Sequence, residues 1–287
     1  MMATTLQQWL QRAAQALTQL AAIDPYATDL KFEARRLAAD LLQLDAAALQ
    51  IRLHDSLTSE QVAMLEAGLT RRCQGEPLAY ITGRWWFWDL ELEVAPCTLI
   101  PRPDTELLVE QALQLNLPLN AKVLDLGTGT GAIALSLAKS KPNWQVIALD
   151  YSSDAVQLAE RNRKRLHIQN CQILQSDWFD ALPEQTFDLI LSNPPYIDAN
   201  DEALNQGDVR FEPHSALVAD CSGLADLQMI IAKAPKFLAK AGWIWLEHGH
   251  QQAEAVQKLL RDASFSHISS KQDYSGKWRI TGGCFLK

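Results

Sequence analysis

The sequence lacks any apolar run that approaches the ~20 residues a membrane-spanning helix needs, so we expect no transmembrane segment. Its five cysteines are odd in number and never paired as Cys-x-x-Cys. Free thiols in a reducing compartment fit this usage better than a disulfide framework or a zinc site. The opening residues alternate polar and apolar side chains at helical spacing and do not resemble a secretory signal. These absences predict a cytoplasmic protein without a bound metal.

Positive charge is also scarce. The chain has 26 Lys and Arg residues against 34 Asp and Glu residues, which leaves a net charge of −8. Proteins that bind nucleic acid cluster Lys and Arg to neutralise phosphates, and this chain has no basic stripe or arm. Its most basic stretch, residues 161–165, is interpreted as a solvated helix face. We therefore expect no direct contact with nucleic acid.

The first 75 residues have the apolar period of amphipathic helices. Asp24-Pro25 is typical of a helix stop, and Thr58 with Gln61 three residues on is typical of a capping box at a helix start. No β-branched alternation interrupts this region, so we expect a small all-helical domain over residues 1–75. Its predicted helices run from Leu6 to Leu20, from about Thr28 to Leu44, and from Val62 to about Cys73.

Residues 76–105 are expected to form a linker with a β-hairpin. Alternation with period two across residues 90–94 predicts a strand pair. The segment Ile-Pro-Arg-Pro-Asp-Thr-Glu follows at residues 100–106, and its two prolines stiffen it. Asp104 or Thr105 is a candidate N-cap for the helix that comes next.

Beyond residue 106 strands and helices alternate. This order predicts a parallel sheet with helices on both faces and ligands at the carboxyl ends of its strands. The expected fold class is therefore α/β, with a Rossmann-like domain over residues 106–287 preceded by the small all-helical domain and the hairpin linker. The predicted strands are Lys122–Leu126, Gln145–Leu149, Cys171–Gln175, Phe187–Ser192, Gly242–Glu247 and Arg279–Leu286.

A glycine-rich turn follows the first strand of this domain. Gly127, Gly129 and Gly131 allow a tight bend and a close approach of ligand to backbone, and the amides at the start of the next helix can hold an anionic group. Asp150 ends the following strand, where an acid can accept both hydroxyls of a ribose. On these residues alone S-adenosylmethionine and a dinucleotide are equally compatible, because Ala132 completes the pattern G-x-G-x-x-A.

Three further side chains favour S-adenosylmethionine. Asp125 precedes the first glycine by two residues, where an acid attracts the methionine ammonium and repels a pyrophosphate. Asp177 and Trp178 follow the third strand and offer an acceptor for the adenine amino group and an aromatic surface beside the ring. A helix cap for Asp177 and core packing for Trp178 are equally good explanations when each residue is taken alone.

The most informative stretch is Leu-Ile-Leu-Ser-Asn-Pro-Pro-Tyr-Ile-Asp at residues 189–198. A buried strand brings Asn-Pro-Pro-Tyr, residues 193–196, to the carboxyl edge of the sheet, and the prolines keep the loop out of helical geometry. The Asn193 side-chain oxygen and the Pro194 carbonyl can accept both hydrogens of a planar NH₂ group, in line with a sulfonium methyl. Tyr196 can cover the amide plane and face the cationic sulfur. The motif predicts methylation of an amide or amino nitrogen; a merely stiff turn is the alternative.

Several segments together resemble the HemK/PrmC type of protein-(glutamine-N5) methyltransferase, which modifies the Gly-Gly-Gln glutamine of class-1 peptide-chain release factors. The glycine loop alone marks only a methyltransferase superfamily, and Asn-Pro-Pro-Tyr is shared with enzymes that act on adenine N6 or cytosine N4. The proline-rich segment upstream of both is far more specific. The similar segments are EPLAYITG (76–83), TLIPRPDTE (98–106), DLGTGTGAIAL (125–135), SDWF (176–179), SNPPYI (192–197), GDVRFEP (207–213) and LEHG (246–249).

The resemblance implies a class I methyltransferase domain, S-adenosylmethionine as cofactor and class-1 release factors as partners; we expect a monomer. It assigns cofactor binding to Gly127, Thr128, Gly129, Thr130, Gly131, Asp150, Trp178 and Asn193. It assigns substrate binding to Asn193, Pro194, Pro195 and Tyr196. Of these, Asn193, Pro194 and Tyr196 are the candidate catalytic residues.

Other functions remain open at this point. Glutamine methylation of a ribosomal protein is the nearest alternative, followed by an adenine-N6 nucleic-acid methyltransferase, which the acidity of the chain disfavours. A nucleotide-binding module without catalysis is the third. Residues 207–213 are either a loop near the site or solvated scaffold. Glu247 and His248 are interpreted as the end of a strand and not as an acid/base pair.

Overall fold

The computed structural model describes residues 4–18 and 29–286. Those residues divide into two compact units. The first contains the described residues up to Arg84 together with Glu202–Phe211, and the second contains Trp85–Asp201 and the residues from Glu212 onwards. Among the described helices, none is both long and apolar enough to span a membrane.

The described residues of the first unit form mainly α-helices. Capping boxes start two of its helices, one built by Thr5 and Gln8 and the other by Thr58 and Gln61. The second of these confirms the predicted cap. The helices of its described residues are α1 (Leu6–Ala16), α2 (Leu30–Leu42), α3 (Ala46–Ile51), α4 (Ser59–Cys73) and α5 (Leu78–Thr82).

Sequence reasoning found three of these helices and missed two short ones. Helix α1 ends at Ala16, earlier than the predicted Leu20. The predicted helix start at Thr28 and the stop at Asp24-Pro25 lie outside the described residues. Helices α3 and α5 were missed because each has only one or two turns, too few for an apolar period to show.

An apolar core and one buried ion pair hold the helical unit together. Trp9, Leu37 and Leu65 are fully buried in its core. The buried Arg72 guanidinium pairs with Glu33 at 2.8 Å and lies 3.7 Å from Asp208. Because Asp208 belongs to the 3₁₀ segment Gly207–Phe211, this charge pair helps to place that later segment in the helical unit.

The second unit is built on a seven-stranded sheet with the order β5-β4-β3-β6-β7-β9-β8. The first five strands in that order pair in parallel, and β9 is antiparallel to β7 and β8. The direction of winding reverses between β3 and β6, where α/β sheets bind their ligands. The strands are β3 (Lys122–Leu126), β4 (Gln145–Asp150), β5 (Cys171–Gln175), β6 (Phe187–Ser192), β7 (Leu238–Glu247), β8 (Ser266–Gln272) and β9 (Trp278–Phe285).

All six predicted strands are present, and one was missed. Strand β7 starts at Leu238, before the predicted Gly242. The missed strand, β8, has the polar sequence Ser-His-Ile-Ser-Ser-Lys-Gln and lies at the edge of the sheet with much of its surface exposed. An edge strand needs little apolar surface, so it lacks the signal by which the central strands were found.

Helices cover both faces of the sheet, as predicted. In β3, Val123 packs into one apolar cluster and its neighbour Leu124 into the other, because successive strand residues point to opposite faces. The predicted hairpin is also present, as β1 (Arg84–Phe87) and β2 (Leu90–Glu93). The helices of this unit are α6 (Glu106–Gln114), α7 (Ala132–Ser140), α8 (Ser153–Arg165), α9 (Asp220–Gly223), α10 (Ala225–Lys233) and α11 (Ala253–Asp262).

The basic stretch 161–165 ends helix α8, and its interpretation as a solvated face is wrong at its second residue. Asn162 is fully buried. Its carboxamide accepts a hydrogen bond from Glu93 N at 2.7 Å and donates to the carbonyl oxygens of Glu93 and Thr130, each at 3.0 Å. The buried amide thus ties the glycine-rich turn to the hairpin, a role that the charged neighbours conceal in the sequence.

Candidate active site

A cavity of about 270 Å³ lies at the carboxyl ends of strands β3, β4 and β6, within the α/β unit. Its position is the one expected for a ligand site in a parallel sheet. The lining brings together most of the residues predicted for the cofactor. These are Gly127, Thr128, Gly129, Thr130, Asp150, Asp177, Trp178 and Asn193. Pro195, which was predicted for the substrate, lines the cavity as well, whereas Gly131 does not.

The glycine-rich turn adopts a backbone that side chains would strain. Gly127, Gly129 and Gly131 have φ values of +70°, +55° and +86°, a region that residues with a Cβ rarely enter. A Cβ on Gly131 would also lie 2.9 Å from Leu135 Cδ1. Gly131 is the N-cap of α7 and supplies no side-chain oxygen. Ala132 and Ile133 of the first turn of α7 line the cavity, where their amides can meet a ligand.

Asp150 stands at the end of β4 and faces the cavity. Its carboxylate accepts hydrogen bonds from Gly129 N at 2.8 Å and from Ser152 N at 2.9 Å. Burial raises the pKa of Asp150, and the two amide hydrogen bonds oppose that rise. Each carboxylate oxygen has a further lone pair, so Asp150 can still accept hydroxyl groups from a ribose.

Asp125 lies behind the turn and not on the cavity wall. It is wholly buried, and its Oδ2 accepts the Thr128 hydroxyl at 2.6 Å. Its Oδ1 is buried without a hydrogen-bond partner among the described residues. Burial raises the pKa of Asp125 to about 7. Thr128, which does line the cavity, separates this carboxyl from the ligand space.

Trp178 belongs both to the cavity and to the core. Its ring comes within 3.7 Å of the place where a Cβ on Gly127 would be, and its other neighbours are apolar residues under the sheet. The two explanations weighed for Trp178 from the sequence are therefore not exclusive. The backbone of Trp178 has φ +46°, a strained value for an aromatic residue.

Only two of the four residues of the Asn-Pro-Pro-Tyr loop line the cavity. Asn193 and Pro195 line the cavity, whereas Pro194 and Tyr196 do not. Asn193 Nδ2 donates to Thr105 Oγ1 at 3.1 Å, which leaves Oδ1 as the free acceptor of that side chain. The Tyr196 hydroxyl donates to Glu247 Oε1 at 3.1 Å. Burial, with the Glu247 carboxylate next, raises the pKa of Tyr196 far above its usual range.

Thr105 occupies the predicted N-cap position of helix α6, but its side chain does not cap the helix. Helix α6 begins at Glu106, directly after the 3₁₀ turn Pro103–Thr105, and Thr105 makes no side-chain cap hydrogen bond. The Asp104 carboxylate instead pairs with Arg279 at 3.1 Å, and the Thr105 hydroxyl accepts from Asn193. Because both side chains bind partners from other parts of the chain, neither forms a hydrogen bond that caps the helix.

Two buried glutamates near the site were missed as functional residues. Residues 207–213 were predicted to be either a loop near the site or solvated scaffold. Glu212 of this segment accepts hydrogen bonds from Ile100 N at 3.0 Å and from Arg102 at 2.6 Å. It thereby holds the proline-rich segment in place. Glu247 ends β7 as predicted, but it also meets Tyr196, and burial raises its pKa to about 7. Glu212 lies in the segment GDVRFEP and Glu247 in the segment LEHG, and the resemblance of these segments to the methyltransferase family was the signal that could have identified both residues.

His248 has a structural environment, in agreement with its interpretation as part of a strand end. Its Nε2 lies 2.7 Å from Thr281 Oγ1 and its Nδ1 lies 2.8 Å from the Gly249 carbonyl oxygen. Burial lowers the pKa of His248, so the ring is neutral at physiological pH. Within the described ranges, no group of three or more His, Cys, Asp or Glu side chains is arranged to hold a metal ion.

The strand order with one antiparallel strand, the glycine turn and the acid ending β4 define a class I methyltransferase that uses S-adenosylmethionine. Residues 119–280 match the family model described as a methyltransferase domain, and residues 8–83 match the PrmC N-terminal domain. The chain belongs to the family of release factor glutamine methyltransferases.

Curated relatives carry that family name. The protein from Salmonella typhimurium is 56% identical over 230 residues, which cover 80% of this chain and 83% of that protein. The protein from Vibrio cholerae is 52% identical over 228 residues, covering 79% of this chain and 80% of that one. A solved methyltransferase from Pyrococcus furiosus has a TM-score of 0.54 at 18% identity over 80% of this chain and 100% of its own, a likeness of fold alone.

Proposed function

We propose that this chain transfers a methyl group from S-adenosylmethionine to the side-chain amide nitrogen (N5) of the glutamine in the Gly-Gly-Gln motif of class-1 peptide-chain release factors. One observation carries the proposal: Asn193 lines the cofactor cavity while its NH₂ group is bonded to Thr105, which leaves its side-chain oxygen as an acceptor without a partner among the described residues. The names of the relatives support the same substrate. We further propose that the enzyme is a cytoplasmic monomer that makes no direct contact with nucleic acid.

The residues around the cavity fit the cofactor. Gly127, Thr128, Gly129 and Thr130 would lie against it, and Gly131 would shape the turn, since the glycines allow a close approach of backbone to ligand and the turn leads into the start of α7. Asp150 would accept the ribose hydroxyls, Asp177 the adenine amino group, and Trp178 would cover the ring. When bound, S-adenosylmethionine supplies an electrophilic methyl group on a cationic sulfur.

The cavity disfavours a dinucleotide. Asp150 and Asp177 both line it, and Asp125 lies just behind Thr128. Lys and Arg side chains are missing from the lining, although a pyrophosphate needs positive or neutral donors around it. Carboxylates instead suit the ammonium and hydroxyl groups of S-adenosylmethionine.

The Asn-Pro-Pro-Tyr loop would activate the substrate amide. An amide nitrogen is a poor nucleophile because its lone pair is delocalised into the carbonyl. Asn193 Oδ1 and the Pro194 carbonyl would accept its two hydrogens and push electron density back onto the nitrogen, most strongly as positive charge develops. Pro195 and Tyr196 would complete the substrate wall. A general base is not required, since the methylated amide cation is acidic enough to lose its proton to water.

We assign substrate recognition to the helical domain, residues 1–75, joined by the hairpin linker 76–105 to the methyltransferase domain 106–287. A tripeptide loop offers less surface than the ~1,200–2,000 Å² that specific protein interfaces bury. Exposed apolar side chains are available for this purpose: Phe32 is 61% exposed and Ile51 81% exposed. They support a role for this domain in gripping the release factor.

A transfer assay tests the proposed function. The protein would be incubated with methyl-labelled S-adenosylmethionine in three separate reactions. One contains a class-1 release factor, one contains large-subunit ribosomal proteins, and one contains DNA. We expect label in the release factor alone, and none after its Gly-Gly-Gln glutamine is changed to alanine. Label in ribosomal protein or in DNA, with an unlabelled release factor, would replace this proposal by the corresponding alternative.

A further inference from the structure

The proposed reaction needs the Asn193 carboxamide in one of two orientations. The oxygen and the NH₂ group of a carboxamide have nearly the same shape, but one accepts hydrogen bonds and the other donates them. With Oδ1 towards the substrate nitrogen, Asn193 accepts a hydrogen from it. In the flipped orientation two NH₂ groups would face each other, and neither could accept.

The described orientation depends on Thr105. Asn193 Nδ2 donates to Thr105 Oγ1 at 3.1 Å, and Thr105 is only 4% exposed, which limits competition from water for this bond. A hydroxyl can serve as either donor or acceptor. Thr105 orients Asn193 correctly only if its own proton points elsewhere.

Glu247 is the group that can accept a hydrogen bond from the Thr105 hydroxyl. It is 1% exposed, and its Oε1 accepts the Tyr196 hydroxyl at 3.1 Å. Its Oε2 is buried and has no donor within ordinary hydrogen-bond geometry among the described residues. Thr105 and Glu247 hold the same loop, since Asn193 donates to Thr105 and Tyr196, three residues further on, donates to Glu247. Burial raises the pKa of the Glu247 carboxyl, and the Thr105 hydroxyl lowers it. Above a pH of about 7, where Glu247 is ionised, the carboxylate accepts and never donates, so it determines the direction of the Thr105 proton.

The positive charge of Arg279 supports the ionised carboxylate. Its charge also lowers the pKa of Glu247, and the guanidinium is fixed by Asp104 at 3.1 Å and by Asp273 at 3.0 Å. Arg279 thereby joins β9 to the proline-rich segment, and the Asp104 carboxylate of that segment raises the Glu247 pKa in opposition to Arg279.

We propose that Glu247 and Thr105 are positioning residues for methyl transfer: the Glu247 carboxylate accepts a hydrogen bond from the Thr105 hydroxyl, and Thr105 in turn accepts one from the Asn193 NH₂ group, which holds Oδ1 towards the substrate nitrogen. The same carboxylate holds Tyr196 by its hydroxyl. This inference rests on the proposed function, because it concerns the orientation of the group that accepts from the substrate amide.

The test removes the Thr105 hydroxyl and keeps the shape of the side chain. Thr105→Val is expected to lower kcat on a release factor about tenfold, the value of one hydrogen bond of roughly 1–1.5 kcal/mol, with KM and the affinity for S-adenosylmethionine nearly unchanged. Thr105→Ser keeps the hydroxyl and should restore most of the rate. Ser136→Ala is the matched control, because Ser136 is a buried hydroxyl in α7 that donates to the Ala132 carbonyl and does not itself line the cavity.

The outcomes separate this inference from the proposed function. Wild-type protein that fails to label a release factor refutes the function itself. Wild-type activity together with an unimpaired Thr105→Val, or a Thr105→Ser as slow as Thr105→Val, overturns the positioning role alone. If Thr105→Val does not fold by thermal melting, Thr105→Ala is compared with Thr105→Ser in the same way. A rate loss in Ser136→Ala as large as that in Thr105→Val would mean that loss of any buried hydroxyl is sufficient, which also overturns it.

Discussion

The two walls of the cavity are built in different ways. On the β3–β4 side a short continuous turn supplies the contacts, and its backbone needs glycine at alternate positions. On the β6–β7 side Asn193 depends on Thr105 and Glu247, which are distant from it in the chain. The first wall is a local feature and the second is a tertiary one. The comparison suggests that binding of the cofactor and orientation of the substrate can be damaged separately.

The largest effect is expected at the second wall. Asn193→Ala removes the oxygen that accepts from the substrate amide, and the loss of one preorganised group of this kind typically costs about 10²–10³-fold in rate. Affinity for the cofactor should fall much less. Single-turnover methylation and calorimetry with S-adenosylmethionine measure the two quantities. Equal losses in both would mean that Asn193 serves binding and not the chemistry, and the two walls would no longer be separable.

A pH experiment examines the buried carboxylate of that wall. The pKa of Glu247 is about 7, above its ordinary value of 4.5. As pH rises from 4.5 to 7 the unfolded chain releases this proton while the folded protein retains it, so stability is lost, on the order of 3 kcal/mol in all. Glu247→Gln has no proton to release. Its free energy of unfolding relative to wild type should therefore improve between pH 5 and pH 8.

Denaturant titrations of both proteins at each pH give this difference. Asp125, whose pKa is also raised to about 7, is present in both and cancels. A difference between wild type and Glu247→Gln that stays constant over this range would show that Glu247 is ionised throughout, with its neighbours compensating fully for burial.

Asp150→Ala is the corresponding change at the first wall. Removing a charged acceptor for the ribose hydroxyls is expected to weaken S-adenosylmethionine binding by roughly 1.5–3 kcal/mol, about 10- to 150-fold. Calorimetry measures it, and a rate at saturating cofactor close to that of wild type would sharpen the contrast with Asn193→Ala. An unchanged affinity would remove Asp150 from the cofactor site, and tight binding of NADH to the wild type would contradict the cofactor assignment.

The smallest effect is expected on the helical domain. Phe32→Ser or Ile51→Ser should lower kcat/KM for a whole release factor by about 5- to 30-fold, as for a contributing interface residue, and leave cofactor affinity unchanged. Leu119→Ser is the matched control, since Leu119 is a comparably exposed apolar residue, 75%, of the α/β unit. Equal effects of all three substitutions would show that these helices do not recognise the partner.

Elements with a strong periodic or glycine signal were predictable from the sequence. The five parallel strands, the glycine turn and the Thr58 capping box were found because each is specified by neighbouring residues. Strand β8 and the buried Asn162 were not, because a polar edge strand and a polar side chain within a basic run resemble surface. The roles of Asp104 and Thr105 were misjudged for the related reason that a local cap was assumed where distant partners prevail.

The sequence by itself determined the α/β class, the alternation of strands and helices, and the two motifs that meet at the carboxyl edge of the sheet, since apolar periodicity and backbone requirements are local properties of the chain. The tertiary structure alone decided which way the Asn193 amide faces, where the Tyr196 hydroxyl goes and why Glu247 is buried. Those outcomes depend on contacts between segments far apart in the chain, where a single hydrogen bond selects one of two otherwise equivalent orientations.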